Sequence, residues 1–369
     1  MILGLFTGVL APGGVERMSR HAAAVLTTFA QKRGVPCTIL SLNDPPGNHT
    51  VQVAEVSLML RGFDRQKSWF VLDALAAASR GTLVYIGHPN LAPIGMLMKA
   101  MHPSLQYWVT THGIDVWQPL SFLRSLALRV ASRVTATTRY TAEVLVEIQH
   151  LSRSRIALIP PALDPGFTLS HAAGAVIVAS LPKSPLLLTV ARLDASEQYK
   201  GMDTVIQVLP QVLTIVPDTR YVIVGDGNDR PRLESLAKTV DVAEHVFFVG
   251  HTGHDELVKY YEACDVFVMP SHAEGFGIVF LEAMAFGKPV IGGNHGGTPD
   301  VIRDGVTGFL VEYGDIDSLT SRILSLLQNE ELRQKMGRTG RQYVEENFSF
   351  TRFQHRLVHL LTGGSACAF

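Results

Sequence analysis

The sequence predicts an α/β protein of two Rossmann-like domains that face each other across a cleft. Short apolar runs alternate with amphipathic stretches through both halves, the pattern of βα units and parallel sheets. At roughly 100–200 residues per domain, a chain of 369 residues holds two cores. Hydrophobic residues make up 47% of the chain and charged residues 18%, with positive mean hydropathy. That balance excludes disorder and suits strands buried on both faces.

The elements follow in order. The apolar run Ile2–Phe6 has no basic region before it and glycines soon after it, so it reads as a first strand and not as a signal peptide. Further strands are expected at Cys37–Leu42, Leu83–Ile86, Tyr107–Thr110, Val134–Thr137 and Ile156–Ile159, with helices such as Val15–Gln31, Gln66–Ala78 and Thr141–Gln149 between them. Pro, Gly and Asn make Asn43–Thr50 a loop. The stretch from Ile159 to Pro185 reads as a linker. A second series then begins with Leu186–Val190, Tyr221–Val224, Val246–Val249, Val266–Met269 and Val290–Ile291, and a helix near Phe350–Leu361 precedes a small-residue tail. Domain one is expected at 1–165, domain two at 166–349, with 350–369 crossing back.

Net charge −1 argues against a nucleic-acid binder. Cys37, Cys264 and Cys367 are odd in number and far apart, so they form neither a disulfide framework nor a zinc site, and a reducing compartment is expected. No apolar run reaches about 18 residues, so nothing is expected to span a membrane. The expected location is cytoplasmic, with peripheral contact at the inner membrane face as an addition. The halves differ in charge: Met1–Pro165 holds 15 Lys and Arg against 9 Asp and Glu, and the remainder 17 against 24. A basic half and an acidic half suggest different partners.

The strongest chemical signal runs from Pro270 to Pro289. A strand ends in the turn Glu274-Gly275-Phe276-Gly277, which opens a very apolar helix at Ile278. Glu274 stands before that helix and Glu282 inside it, among apolar neighbours. An ionised carboxylate there costs several kcal/mol unless paired. Free amides at Gly277 and Ile278 make an anion site between the two carboxylates. A ligand rich in hydroxyls and phosphate would satisfy all of these groups; the alternative is a capping Glu plus one buried, satisfied Glu. Arg192 and Lys200 lie just beyond a strand, where ligands meet parallel sheets. Gly13-Gly14 follows the first strand and opens a helix, leaving backbone amides bare to an anion, although an ordinary tight turn explains it as well. Val224-Gly225-Asp226-Gly227 lacks the third glycine of a dinucleotide fingerprint, which disfavours a dehydrogenase.

This ordered set resembles the retaining glycosyltransferases of family 4, with their E-x7-E block and GT-B fold. The resemblance covers almost the whole chain: Pro12-Gly13-Gly14-Val-Glu16, Gly87-His88-Pro-Asn90, His112-Gly113-Ile-Asp115, Thr189-Val-Ala-Arg192-Leu with Lys200-Gly201, the Val224–Gly227 turn with Arg232, Phe248-Val-Gly250, and after the block Gly296-Gly-Thr-Pro-Asp300 and Asp304-Gly-Val-Thr-Gly308-Phe. It implies that Glu274 binds donor-sugar hydroxyls and Glu282 the ribose. Gly225, Gly250 and Gly275 join the binding residues, and amides around Phe276–Ile278 line sugar and phosphate. Arg192 and Lys200 would neutralise the departing nucleotide diphosphate in place of a metal, one preorganised contact being worth about 2.7–4 kcal/mol. With Gly13 and Gly14 they would complete a diphosphate clamp. Asp315-Ile-Asp317 matches a metal-binding string but opens a late helix. His112 is implied to bond the donor sugar rather than act as a general base, and Asp115 either to orient it, to meet the acceptor or to cap a helix.

The implied enzyme is a retaining, metal-independent hexosyltransferase without cofactor. UDP-glucose or a related UDP-hexose is the first expected donor and GDP-mannose the second. The acceptor would be a glycan or lipid-linked sugar in polysaccharide biosynthesis, held by the basic half. Alternatives are a GT-B nucleotide-sugar epimerase, a sugar-phosphate synthase, or a catalytically silent binding protein. The segment Leu120–Arg133 reads as a helix with Arg124, Arg129 and Arg133 either solvated or touching anionic lipid.

Overall fold

The computed structural model describes residues 1–79, 81–165, 167 and 184–364. Of the expected linker, residues 166 and 168–183 lie outside the described residues, as do Cys367 and the rest of 365–369 in the tail. The chain divides into two compact units, Met1–Pro165 with Phe348–Phe369, and Gly166–Asn347.

Unit 1 holds eight strands: β1 (Ile2–Phe6), β2 (Cys37–Ser41), β3 (Gly47–Val53), β4 (Val56–Gly62), β5 (Leu83–Ile86), β6 (Gln106–Thr110), β7 (Arg133–Ala136) and β8 (Ile156–Leu158). They lie in the order β3-β4-β2-β1-β5-β6-β7-β8, parallel throughout except for β3 against β4. The apolar runs of β1, β5 and β6 are buried on both faces, as a sheet covered by helices on both sides requires. On one face pack the helices Gly14–Lys32 and Phe350–Leu361. On the other pack Lys67–Ala77, Ala92–Met101, Phe122–Val130 and Arg139–Glu147.

Two expectations need correction here. The loop expected at Asn43–Thr50 gives way at Gly47 to β3, an edge strand of a hairpin with β4. Its Gly, Asn and His open an exposed edge that needs no apolar alternation, while Val51 and Val53 still reach the core. The helix expected over Leu120–Arg133 is shorter, Phe122–Val130. Arg133 begins β7 instead, with its guanidinium over the Trp108 ring.

Unit 2 is a six-stranded parallel sheet: β9 (Leu186–Val190), β10 (Arg220–Val224), β11 (Val246–Gly250), β12 (Val266–Met269), β13 (Val290–Gly293) and β14 (Gly308–Val311), in the order β11-β10-β9-β12-β13-β14. Chain order reverses between β9 and β12. In doubly wound sheets, ligands bind outside the carboxyl ends of the strands at that reversal. β14 carries too short an apolar run to stand out in the sequence, and its pairing with β13 makes it a strand.

Candidate functional site

Glu274 follows β12, and Arg192 and Lys200 follow β9, so the reversal of strand order brings their segments together. The backbone N–H of His272 donates to the carbonyl of Tyr199 at 3.0 Å, which ties the Ala195–Lys200 turn to the Glu274 loop. Lys200 is only 13% exposed and meets Glu197 at 2.6 Å. Arg192, 79% exposed, reaches the other oxygen of the same carboxylate. Glu197 therefore bridges both cations. Sequence reasoning missed it, because a Glu in a polar turn looks like a surface residue.

Burial pushes the Glu274 carboxyl above its usual range. The Lys200 ammonium opposes that shift, Glu197 adds to it, and the N–H groups of Phe276 and Gly275 oppose it. The carboxylate thus sits half-buried beside a cation, already stripped of much of its water. Gly277 caps the helix Ile278–Ala285 at φ 85°, a left-handed conformation. A Cβ there would lie 2.5 Å from the Phe280 ring and 3.2 Å from Glu274 Cγ. Only glycine lets the chain turn from Glu274 into the helix at this point.

Glu282 is 3% exposed, and Tyr261 donates its hydroxyl to it at 2.6 Å. Tyr261 is itself buried and lies flat against Phe286, ring centroids 5.9 Å apart. No spacing in the sequence points to this partner, which lies 21 residues away on another helix. Gly225 accepts no Cβ, since one would lie 1.8 Å from the Ala191 carbonyl oxygen; its N–H donates to Gly250 at 2.8 Å. These two glycines hold the ends of β9, β10 and β11 together backbone to backbone. Arg232 braces the same region with a two-pronged pair to Asp229, both contacts at 2.7 Å, and Gln198 reaches Asp229 from the Lys200 turn.

In unit 1, Gly13 precedes the helix Gly14–Lys32, with no side-chain hydrogen bond capping it. Glu16 lies against Gly13, where a Cβ would meet its carboxylate at 2.2 Å. The amides expected to be bare thus have an acidic neighbour. Buried Asp44 fixes the preceding loop, accepting from the N–H groups of Val9 and Leu10 and from the Ser41 hydroxyl.

His112 follows β6. Its Nε2 lies 2.7 Å from the Gly87 carbonyl, which only accepts, so Nε2 carries a proton and donates it in this contact. Asp115 accepts from the His112 backbone N–H at 3.0 Å, so it caps the turn rather than orienting the ring. His88 stacks on His112, centroids 5.7 Å apart. Burial, with His112 and Arg124 nearby, lowers the His88 pKa to about 4, which keeps it neutral.

Residues 12–167 match the family model described as Glycosyltransferase Family 4, and residues 177–343 the one described as Glycosyl transferases group 1. A GDP-mannose-dependent alpha-(1-6)-phosphatidylinositol monomannoside mannosyltransferase of Mycolicibacterium smegmatis is 34% identical over 279 residues, 69% of each chain. Among solved structures, sucrose-phosphate synthase from Thermosynechococcus elongatus superposes with a TM-score of 0.78 at 22% identity, covering 98% of both chains. Anabaena HepE in complex with UDP superposes with a TM-score of 0.75 at 17% identity, over 98% of this chain and 99% of that one. The fold is GT-B, with two Rossmann-like domains. With family models matched in both units and a relative above 30% identity over two thirds of each chain, this chain belongs to glycosyltransferase family 4.

Proposed function

We propose that this glycosyltransferase is a retaining, metal-independent hexosyltransferase that moves a hexose from a nucleotide diphosphate sugar to a glycan or lipid-linked acceptor. The observation that carries the reading is the grouping of Glu274, Lys200, Arg192 and the Ile278 helix start at the reversal of strand order in unit 2. During transfer the sugar–phosphate bond breaks, the acceptor oxygen bonds to the same sugar carbon, and the acceptor's proton passes to the leaving phosphate. Lys200 and Arg192 offset the charge that grows on the diphosphate. Glu274 accepts from sugar hydroxyls, Glu282 from the ribose, and the amides of Gly275–Ile278 meet phosphate and sugar. In unit 1, the Gly13-Gly14 amides and the His112 imidazole are the groups offered to ligand.

GDP-mannose is the first donor to test, because the relative that bears that name aligns over 69% of this chain. A UDP-hexose, which the sequence alone placed first, is the second. A thermal-shift screen of both sugars and their diphosphates, in EDTA, tests the reading. A ligand at 100 times its dissociation constant adds about 2.7 kcal/mol. Stabilisation by one nucleotide series without metal, followed by transfer of labelled sugar to a new product, is expected. A strict Mg2+ or Mn2+ requirement would remove Lys200 and Arg192 from their role. Binding without product would favour a silent binding protein.

A further inference from the structure

We propose that His88 is a positioning residue for His112: the turn Gly87–Asn90 grips the His112 ring by its Nε2 and by one face, and so fixes how that ring meets a ligand. Chain order in unit 1 reverses between β1 and β5, the place where parallel sheets take their ligands. His88 follows β5 at that reversal, and His112 follows the neighbouring β6. The proposed transfer uses His112 and gives the Gly87-His88-Pro89-Asn90 segment no part.

The turn is built to hold still. The Gly87 N–H donates to the Leu5 carbonyl of β1 at 2.8 Å, and a Cβ on Gly87 would lie 2.3 Å from the Phe6 ring. The carbonyl that takes the His112 Nε2 proton is therefore seated directly on the first strand. Buried Pro89 fixes the next backbone angle. His88 Nδ1 accepts the Asn90 N–H at 3.1 Å, which holds the His88 ring in orientation. That ring lies across the face of His112, tilted by 23° with centroids 5.7 Å apart, an offset at which aromatic pairs attract. Among the described residues, His112 Nδ1 makes no hydrogen bond, which leaves it as the ring nitrogen to meet a ligand.

A cap alone does not require an imidazole, since Asn, Asp, Ser and Thr cap a turn as well. What histidine adds at position 88 is an aromatic face. Burial, with His112 and Arg124 nearby, keeps that face uncharged. The inference rests on the reading of His112 as a ligand contact, so its test has an arm that does not involve activity.

The test compares His88→Asn with His88→Phe in the full chain. Asn keeps an acceptor for the Asn90 N–H and removes the aromatic face; Phe keeps the face and removes the acceptor. Ring-nitrogen NMR of histidine-labelled protein at pH 8, above the ordinary imidazole pKa of about 6.5, reads the imidazole directly, with the His112 signal assigned from His112→Asn. The parent and His88→Phe should show a single form with the proton on Nε2, and His88→Asn a mixture of the two tautomers. Release of hexose from the nucleotide sugar that stabilises the parent, GDP-mannose or UDP-glucose, should fall about tenfold to a hundredfold in His88→Asn. The loss should lie in kcat rather than KM, and His88→Phe should recover most of it. A His88→Asn protein with the parent's His112 spectrum overturns the proposal. So does a His88→Phe protein that loses the Nε2 form, since the cap alone would then hold the turn. A His112→Asn protein that releases hexose at the parent's rate would instead remove His112 from ligand binding, and the spectra would still decide whether His88 fixes its ring.

Discussion

At the scale of single residues, Glu274 carries a cost that its proposed role in holding the sugar would explain. Burial holds its pKa above the ordinary 4.5, so the folded protein keeps the proton longer than the unfolded chain. The stability this group contributes is therefore present at low pH and lost as pH rises from 4.5 through the raised value. Glu274→Gln should melt higher than the parent at neutral pH, by about a degree or two, with the gain vanishing below pH 4.5 and transfer lost. Equal melting temperatures at pH 7 would mean that the site holds no strained charge. Glu282 stands out in the sequence because a carboxylate among Val, Phe and Leu contradicts its surroundings, and Glu274 because it opens the glycine-rich turn before that helix. Glu197, Tyr261 and Asp44 are hidden for the opposite reason. Each looks ordinary where it stands, and its importance comes from a partner that only the fold brings near.

Among the elements, the turn from β12 into the helix Ile278–Ala285 is the most constrained. Gly277→Ala would combine a left-handed backbone with a Cβ 2.5 Å from the Phe280 ring. Such strain costs about 1–3 kcal/mol, and the displaced helix start should carry Glu274 and the Ile278 amide out of position. Urea unfolding should show the stability loss, and diphosphate titration a weaker complex; an unchanged midpoint would contradict the close packing. Most strands are legible as apolar runs because parallel strands covered on both faces must be apolar. β3 is not, since an edge strand may be polar on its open side, and its pairing with β4 supplies what its composition lacks. Arg133 shows the same limit from the other direction: nothing in the spacing of Arg124, Arg129 and Arg133 marks the helix end that leaves Arg133 on a strand.

At the scale of the whole molecule, the last helix completes unit 1. Phe353, Leu357 and Leu360 are buried in the core beneath the helix Gly14–Lys32. His21 of that helix lies against Phe350, centroids 5.0 Å apart, and its Nε2 meets Asp164 at 2.9 Å. Burying three such side chains is worth about 5–9 kcal/mol together, against a typical total stability of about 5–15 kcal/mol. A chain ending at Asn347 should therefore lose unit 1 to protease while unit 2 persists; equal resistance of both units would show the helix to be dispensable. Two series of apolar runs separated by a linker were legible in the sequence, and the chain divides into two compact units at that linker.

The most direct test of the central claim measures two quantities on Glu274→Ala: affinity for the nucleotide diphosphate by calorimetry, and transfer of labelled hexose from the matching nucleotide sugar. Lys200 and Arg192 remain in the variant, so diphosphate affinity should stay within about threefold of the parent, while transfer falls by about 10²–10³ or more, as for loss of a preorganised contact to the reacting group. Transfer at the parent's rate would contradict the account, because Glu274 would then have no part in holding the sugar.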